Sequence, residues 1–315
     1  MAGLVIGRYA TSLEFPAVVF VNLLAGGGRT GRHLLAVRRV FETQKMDAEF
    51  VITESSEDLE SRARQAIAAG RRLLVAMGGD GTFQGLANAA YGSDVLLGLL
   101  PTGGGNDFAS ALGLPRDPVA AARALLRGQP RCVDLLRART EDGRDRLYAG
   151  GGGVGLDAEA APYAAGKYRR LPGRLRYVAS ALRALRRFAP LRVRAEFPGS
   201  ELPPMEAKAL LAGVLNTPTF GAGLRLAPDA RMDDGWLNTV LLKDMSALEV
   251  LALVPRLLWR GDLPNSRVKR ARARKVRLLT DRPCFFEGDG EILGPAPVEI
   301  EVMPRAARVL APAGR

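Results

Sequence analysis

The first third of the chain alternates short apolar runs with longer segments in which apolar residues recur at helical spacing. An apolar run bounded by turn residues is typical of a strand buried on both faces, whereas helical spacing predicts an amphipathic helix. The predicted strands are 17–21, 50–53, 73–77 and 95–100, and the predicted helices are 33–44, 56–69 and 83–90. Either Ser55 or Ser56 is expected to cap the second of these helices. Strands that alternate with helices indicate an open parallel sheet, with ligands expected at the carboxyl ends of its strands.

Three of these strands end in glycine-rich turns, at 25–31, 78–82 and 101–107. A strand, a glycine turn and a helix start together present backbone N–H groups to phosphate. Thr82 is predicted to be the N-cap of the third helix, and Asp80 is predicted either to orient a loop N–H or to hold Mg²⁺ against the phosphates. A plain strand-to-helix turn is the alternative for any single turn, but three of them in one domain favour phosphate binding.

The pattern changes near residue 131, where apolar and polar residues begin to alternate with a period of two. The alternation is clearest over 191–197 and 298–302, and glycine and proline interrupt it frequently. A period of two predicts half-buried strands, and this punctuation is typical of a mostly antiparallel sheet. We therefore predict an α/β domain over 15–133 and a β-rich domain over 134–315, whose last residues are expected to pack back on the N-terminal domain.

The composition limits which catalytic groups and metal sites this chain can form. The chain has 315 residues, enough for two cores, and its 47% hydrophobic content is that of a folded protein. It has no apolar run of 18 residues, and its N-terminus lacks the pattern of a signal peptide. Because Cys132 and Cys284 are the two cysteines and His33 is the single histidine, zinc sites and histidine-based triads are poorly supported, and a reducing cytoplasm is expected. Catalysis is expected to use carboxylates, backbone amides and a hard metal ion.

The formal net charge is +12, which suits nucleic acid, anionic lipid surfaces or phosphorylated ligands. Residues 167–187 carry eight basic residues and no acid, with leucine and valine at helical spacing. This segment predicts a basic amphipathic helix against anionic lipid, or a helix packed on the β-rich domain with solvated arginines. The second basic cluster, 267–277, has no interleaved aromatic residues, so we expect no nucleic-acid partner.

An ordered set of motifs resembles the diacylglycerol kinase catalytic-domain family in its bacterial soluble form, a family that also includes sphingosine and ceramide kinases. The motifs are Asn22 with its glycine turn, GGDGT at 78–82 with Asn88, PTGGGNDFA at 101–109, GVGLDAE at 153–159, DDGWL at 233–237 and DGE at 289–291. GGDGT alone is shared with NAD kinases and is related to phosphofructokinases, but the whole set, over about 17–305, is specific to the lipid kinases. The resemblance implies a two-domain α/β plus β protein. Its N-terminal domain would be an open parallel α/β sheet like that of NAD kinase and phosphofructokinase, and its C-terminal domain a mainly antiparallel β-sandwich.

The resemblance also implies ATP at the cleft and a carboxylate that receives the proton of the acceptor hydroxyl. Glu291 is expected to be this base, with Asp289 the close second. If both lie in one strand, with Gly290 between them, their side chains share a face. A β-turn with solvated acids is the alternative. The residues expected to bind nucleotide are Asn22, Gly26, Thr53, Gly78, Gly79, Asp80, Gly81, Thr82, Gly104, Asn106 and Asp107.

A structural Mg²⁺ site is implied at Asp234, with the backbone carbonyls of Arg231 and Trp236 completing it; oxygen ligands of this kind suit the ion. From the residues alone, 233–235 is equally a turn before a strand at 237–242, and that interpretation is preferred without the resemblance.

The chain departs from the family pattern at four positions. Gly85 stands where the family often has glutamate and Gly104 where it often has threonine, while Leu23 and Ala25 replace proline and serine of the first nucleotide segment. These changes remove side-chain contacts to nucleotide but leave backbone phosphate binding intact.

We therefore predict a cytoplasmic, ATP- and Mg²⁺-dependent lipid kinase that contacts the inner face of the membrane through 167–187. Diacylglycerol is the default acceptor, and a sphingoid base, a polyprenol or phosphatidylglycerol is the alternative. A degenerate member that binds nucleotide or lipid and regulates without turnover is the alternative from another class, and an NAD kinase is the third. Self-association as a homodimer remains open.

Overall fold

The structure, a computed structural model, describes residues 16–156, 183, 189–261, 263–264 and 266–313. The basic segment 167–187 predicted to face a membrane lies outside the described residues except for Arg183, and so do residues 157–159 of the GVGLDAE motif. Among the helices within the described ranges, none is both long enough and apolar enough to cross a bilayer.

The N-terminal half is built on four parallel strands in the order β2-β1-β3-β4. The strands are β1 (Ala17–Asn22), β2 (Ala48–Thr53), β3 (Leu73–Gly78) and β4 (Leu96–Pro101). The helices are α1 (Ala25–Gly28), α2 (Thr30–Thr43), α3 (Ser56–Ala68), α4 (Asp80–Ala90), α5 (Asp107–Ala111) and α6 (Pro118–Leu126). Every residue of β3 is buried, as expected for a central parallel strand with helices on both faces. The predicted open parallel α/β sheet is confirmed.

The observed N-caps of two helices in this half can be compared with the predicted ones. Of the two candidate caps, Ser55 caps α3, because its hydroxyl accepts a hydrogen bond from the backbone N–H of Asp58 at 3.1 Å. The prediction that Thr82 caps α4 is wrong, since α4 begins at Asp80 and Gly79 occupies the cap position in an extended conformation. The Gly79 carbonyl accepts from the N–H groups of Thr82 and Phe83, both at 3.1 Å, so Thr82 lies inside the first turn.

The C-terminal half is mainly antiparallel, in the order β14-β13-β7-β9-β8-β12-β15, with β10 and β11 continuing from β9 and with β5 and β6 continuing from β15. Its elements are β5 (Gln129–Thr140), β6 (Asp145–Tyr148), β7 (Gly151–Gly155), β8 (Leu191–Glu196), β9 (Met205–Leu215), β10 (Leu237–Lys243), α7 (Ala247–Trp259), β11 (Val268–Ala273), β12 (Lys275–Thr280), β13 (Phe285–Gly288), β14 (Glu291–Pro295) and β15 (Val298–Ala311). Along β8, Leu191, Val193 and Ala195 are buried while Arg192 and Arg194 are exposed, so the predicted period of two is confirmed.

The last strand joins the two halves. β15 pairs antiparallel with β5 over most of its length, from Val298 to Ala311, and near its end Arg308 and Val309 pair parallel with β4. Within the described residues, all fifteen strands therefore belong to one hydrogen-bonded sheet. The hairpin of β13 and β14, at the other end of this strand order, packs against α4, where the Gln84 side chain donates to the Gly288 carbonyl at 3.1 Å.

Candidate active site

A cleft of about 610 Å³ lies between the two halves. Its N-terminal wall consists of the turns that follow β1, β2, β3 and β4, and its C-terminal wall includes the start of β7 and the β13–β14 hairpin. The cleft brings together eleven of the residues expected to bind nucleotide or to act in catalysis: Asn22, Gly26, Thr53, Gly79, Asp80, Gly81, Thr82, Gly104, Asp107, Asp289 and Glu291. Gly78 and Asn106 lie behind this lining, and Arg231, Asp234 and Trp236 lie elsewhere.

The side chain of Asn22 connects the first two glycine turns. Its Oδ1 accepts hydrogen bonds from the N–H groups of Leu24 at 3.0 Å and Ala25 at 3.2 Å. Its Nδ2 donates to the Thr82 hydroxyl at 3.2 Å. One asparagine at the end of β1 therefore shapes the first turn and ties it to the first turn of α4.

The glycine turns pack backbone against backbone. Gly26 has φ +61°, and a Cβ there would lie 2.0 Å from the carbonyl oxygen of Thr102. A Cβ on Gly103 would lie 2.6 Å from the Cα of Gly79 and 2.7 Å from Oδ1 of Asn106. Asn106 in turn donates from Nδ2 to the Gly103 carbonyl at 2.9 Å. Only glycine fits this contact, which brings the starts of α4 and α5 to one point.

Asp80 orients the start of α5. Its carboxylate accepts hydrogen bonds from the N–H groups of Asp107 at 3.0 Å and Phe108 at 3.3 Å. This geometry matches the first of the two roles predicted for it, that of orienting a loop N–H. Burial raises the pKa of Asp80, and the negative charges of Asp107 and Asp289 raise it further, while the two backbone hydrogen bonds oppose the shift.

Asp107 clamps the two walls of the cleft together. Its carboxylate accepts from the hydroxyl of Thr219 at 2.7 Å and from the N–H of Ala222 at 2.8 Å, both in the C-terminal half. Asn88 makes a second clamp, because its amide exchanges two hydrogen bonds with the backbone of Leu147, at 2.8 and 2.9 Å. These contacts hold the glycine turns of the N-terminal wall at a fixed distance from the C-terminal wall.

Asp289 occupies a hairpin turn, not a strand. With φ values of +52° and +91°, Asp289 and Gly290 form the two-residue connection between β13 and β14. The expectation that Asp289 and Glu291 share one face of a strand is therefore wrong, because the left-handed turn turns Asp289 back toward β7. There its carboxylate accepts from the N–H groups of Ala149 at 2.6 Å, Gly150 at 2.9 Å and Gly151 at 3.2 Å.

The same carboxylate has a shifted pKa. Burial raises the pKa of Asp289 to about 6, with the charge of Asp107 adding to the rise and the three backbone hydrogen bonds opposing it. A carboxylate with a pKa near neutrality is suited to accept a proton at physiological pH.

Glu291 begins β14 at the mouth of the cleft, beside the first turn of α4. A Cβ built on Gly81 would lie 3.0 Å from its Oε1. The surrounding cleft wall desolvates the carboxylate and raises the pKa of Glu291; the charge of Glu57 adds to this rise and the charge of Arg146 opposes it. Arg146 is itself fixed in place, since both of its terminal nitrogens donate to the buried carboxylate of Glu60.

Sequence reasoning missed the backbone segment 149–151 that receives Asp289. A signal was present, because Gly150 opens a run of four glycines, and glycine in a strand often marks a close approach of another backbone. A Cβ on Gly152 would lie 2.4 Å from the carbonyl oxygen of Glu287, so β7 and β13 depend on this run.

The residues proposed for a structural Mg²⁺ do not fit that ion in this structure. Oδ2 of Asp234 is in an ion pair with Arg272 at 2.6 Å, and Oδ1 accepts from the N–H of Trp236 at 3.1 Å. Arg272 and Arg274 also lie over the Trp236 ring, 5.7 and 5.5 Å from its centroid. The guanidinium group of Arg272 already occupies the Asp234 carboxylate and opposes a divalent cation there, and the segment has the form of a turn before β10. Across the described ranges, no three His, Cys, Asp or Glu side chains are grouped to hold a metal ion.

Chelation tests this conclusion. We expect EDTA to leave the Tm of the nucleotide-free protein unchanged, since Arg272 already balances the charge of Asp234. Scanning calorimetry in EDTA and in excess Mg²⁺ measures the effect, with Asp234→Asn as the matched variant. A Tm that rises with Mg²⁺ in the parent protein and not in the variant would show that Asp234 does bind the ion.

Comparison with known proteins agrees with the fold. Residues 16–138 match the diacylglycerol kinase catalytic domain, and residues 152–311 match the YegS C-terminal NAD kinase beta sandwich-like domain. A probable lipid kinase YegS-like from Stenotrophomonas maltophilia (strain K279a) is 31% identical over 283 residues, covering 86% of this chain and 89% of that protein. A diacylglycerol kinase of Mycobacterium tuberculosis (strain CDC 1551 / Oshkosh) is 28% identical over 292 residues, covering 92% of this chain and 93% of that protein.

The fold is also found in solved structures. A putative diacylglycerol kinase from Bacillus anthracis str. Sterne superposes with a TM-score of 0.77 at 20% identity, covering 94% of this chain and 96% of that one. The two matched domains, in this order and on this fold, define a lipid kinase. The chain belongs to the family of diacylglycerol kinases and YegS-like lipid kinases.

Proposed function

We propose that the protein transfers the γ-phosphoryl group of ATP, with Mg²⁺, to the hydroxyl of a membrane lipid, with diacylglycerol as the default acceptor. One observation carries the proposal: the cleft that contains the glycine turns continues into an apolar chamber in the C-terminal half. The chamber is lined by Leu210, Leu211, Phe220, Leu224, Leu226 and Leu242. A single space thus offers polar donors at one end and hydrocarbon at the other, which is what a phosphate donor and an acyl-chain acceptor require.

The N-terminal wall supplies the nucleotide side. The first N–H groups of a helix have no partner within it, so the start of α4 directs donors and a positive helix end into the cleft. The first two N–H groups of α5 already donate to Asp80, which fixes that helix beside α4. Phosphoryl transfer requires mainly positioning and charge neutralisation, and the backbone contacts at Gly79 and Gly103 fix these donors rigidly. Mg²⁺ bound to the nucleotide phosphates would neutralise their charge; the carboxylates of Asp80 and Asp107 line the same part of the cleft.

On the acceptor side of the cleft, Asp289 is the first candidate for the general base, and Glu291 is the second. Three N–H groups hold the Asp289 carboxylate rigidly against β7, on the wall that continues into the apolar chamber. A carboxylate offers about four lone-pair positions, so one stays available to the lipid hydroxyl. Glu291 lies beside Gly81, on the nucleotide side, where its charge faces the phosphates. In this assignment Asp289 accepts the hydroxyl proton as the oxygen attacks the γ-phosphorus, and ADP leaves.

The pH dependence of the reaction follows from this assignment. Because the base must be ionised and the pKa of Asp289 is raised to about 6, kcat should be constant above neutral pH. Below pH 6 it should fall about tenfold per unit. The measurement is kcat from pH 5 to 8 at saturating nucleotide, with ATP affinity measured by calorimetry at each pH as the control. A profile that stays flat down to pH 5 while ATP remains bound would contradict the assignment.

The reaction would take place on the cytoplasmic side of the membrane, where ATP is available and where the protein must reach a lipid by peripheral contact. The relatives named diacylglycerol kinase support the default acceptor, while the name YegS-like lipid kinase leaves other lipid alcohols open. The apolar chamber would accept the hydrocarbon chains of any of these lipids, so its lining does not identify the acceptor. The acceptor must be identified by assay.

The test is transfer of labelled γ-phosphate from ATP and Mg²⁺ to a panel of lipids in mixed micelles. The panel contains diacylglycerol, a sphingoid base, a polyprenol and phosphatidylglycerol. We expect one labelled lipid, and diacylglycerol is the acceptor we expect. ATP binding without transfer to any lipid would overturn the kinase and support the regulatory alternative. A parallel reaction with NAD in place of lipid would point to an NAD kinase if the label is transferred to it.

A further inference from the structure

Helix α7 is apolar on two opposite sides. On one side Val250, Val254 and Leu257 line the apolar end of the cleft. On the other, five residues form what we call the outer stripe: Leu248, Leu251, Ala252, Pro255 and Trp259. Leu248 is 79% exposed and Trp259 is 78% exposed, so these two large side chains contribute almost nothing to the core. At roughly 100° per residue, the stripe occupies a sector of about 100° directly opposite the inward residues.

The helix does not depend on a partner for its formation. Ser246 and Glu249 form a reciprocal capping box at its start, and Leu257 is buried in the C-terminal core. A stable helix with large exposed apolar side chains marks an interaction surface, since lone exposed residues are common but a continuous stripe is not.

The charges beside the stripe indicate what covers it. Arg256 and Arg260 are exposed on one flank, and the one acid of the helix, Glu249, is in an ion pair with Arg267. A second copy of the chain docked on this face would bring like charges together, whereas an anionic lipid surface would attract them. Trp259 near the C-terminal end is the residue type that lies at a membrane–water interface.

We propose that α7 is an interfacial helix whose outer stripe enters the headgroup region of an anionic bilayer. Because the opposite side of the same helix is a wall of the apolar chamber, docking would bring that chamber to the lipid surface. The surface is separate from the basic segment 167–187. The inference concerns binding and rests on the proposed function only for the identity of the lipid that then enters the cleft.

Sedimentation with vesicles tests the docking surface. The parent protein should bind vesicles of phosphatidylglycerol and phosphatidylcholine more strongly than vesicles of phosphatidylcholine alone. The double variant Leu248→Ser/Trp259→Ser should lower the partition coefficient at least about tenfold, since both side chains lose apolar contact with lipid. Leu35→Ser is the matched control, because Leu35 is 69% exposed on α2 of the other half, and its binding should equal that of the parent.

Phosphate transfer to a short-chain diacylglycerol below its micelle concentration separates docking from catalysis. The double variant should match the parent on this monomeric acceptor and lose activity on vesicles. If the parent transfers no phosphate to any lipid, the proposed function fails, while the sedimentation result still decides the docking surface.

Three results would overturn the proposal. The first is a parent protein that does not bind anionic vesicles, and the second is a double variant that binds as the parent does, which would favour the segment 167–187. The third is a parent dimer that becomes monomeric in the double variant in analytical ultracentrifugation, which would make the outer stripe a subunit interface.

Discussion

Replacing Asp289 with asparagine is expected to lower kcat for lipid phosphorylation by about 10²- to 10³-fold, within the range that general-base groups contribute. The amide keeps nearly the same size but cannot accept the hydroxyl proton. It also places an NH₂ group opposite one of the three N–H donors at 149–151, so a modest loss of stability accompanies the loss of rate. Rate is measured on the lipid that the panel identifies, at saturating ATP and lipid.

Two controls keep this prediction specific to proton transfer. ATP affinity in calorimetry should stay within about threefold of the parent, because the hydrogen bonds of the Asp289 carboxylate go to the backbone of 149–151 and not to the glycine turns. Glu291→Gln removes the other carboxylate of the motif and should cost less in kcat than Asp289→Asn. The reverse order of losses, with both variants folded, would return the role of base to Glu291, as the sequence motif alone had suggested.

Replacing Gly26 with alanine is expected to lower ATP affinity at least about tenfold and to destabilise the fold by more than about 1–3 kcal/mol, the cost of a left-handed residue other than glycine. The added methyl group would lie 2.0 Å from the carbonyl oxygen of Thr102, so the first turn must move away from the third. That movement would misplace the N–H groups that face the phosphates. Calorimetric titration with ATP and a denaturant melt measure the two effects.

Gly28→Ala provides a matched control two residues away. Gly28 has φ +84°, so alanine meets similar backbone strain, but nothing lies within 4 Å of the added methyl group. We expect this variant to lose about 1 kcal/mol of stability and to bind ATP as the parent does. If both variants lose ATP affinity equally, backbone strain and not the contact with Thr102 is responsible, and the packing of the turns is less important than the structure indicates.

The departures at Gly85 and Gly104 now have a structural context. Gly85 is buried against α3, where a Cβ would lie 3.2 Å from a methyl group of Leu59, so a larger residue there would push the two helices apart. Gly104 lines the cleft and contributes backbone alone. Glycine at these two positions leaves intact the backbone contacts that hold the turns together. This supports the proposal of an active kinase over that of a regulator without turnover.

The sequence by itself determined the local features of this protein. Apolar runs and their spacing identified the four parallel strands, the period of two in β8 and the cap at Ser55, because hydrophobic periodicity and capping depend on residues close together in the chain. It also indicated which turns gather at the carboxyl ends of the strands, since that follows from the parallel arrangement. It failed locally at Thr82, because α4 starts two residues earlier and the Gly79 carbonyl accepts from the N–H groups of Thr82 and Phe83.

Only the tertiary structure decided which groups these elements bring together. Asp289 meets backbone donors from a strand about 140 positions earlier, and Asp234 meets Arg272 across two strands, so each charge has a partner that no spacing rule identifies. The same holds for α7, whose apolar residues look uniform in sequence until packing assigns one side to the cleft and leaves the other exposed. The physical reason is that burial and hydrogen bonding are satisfied by neighbours in space, and these neighbours are fixed by how the sheet and helices pack, not by their order along the chain.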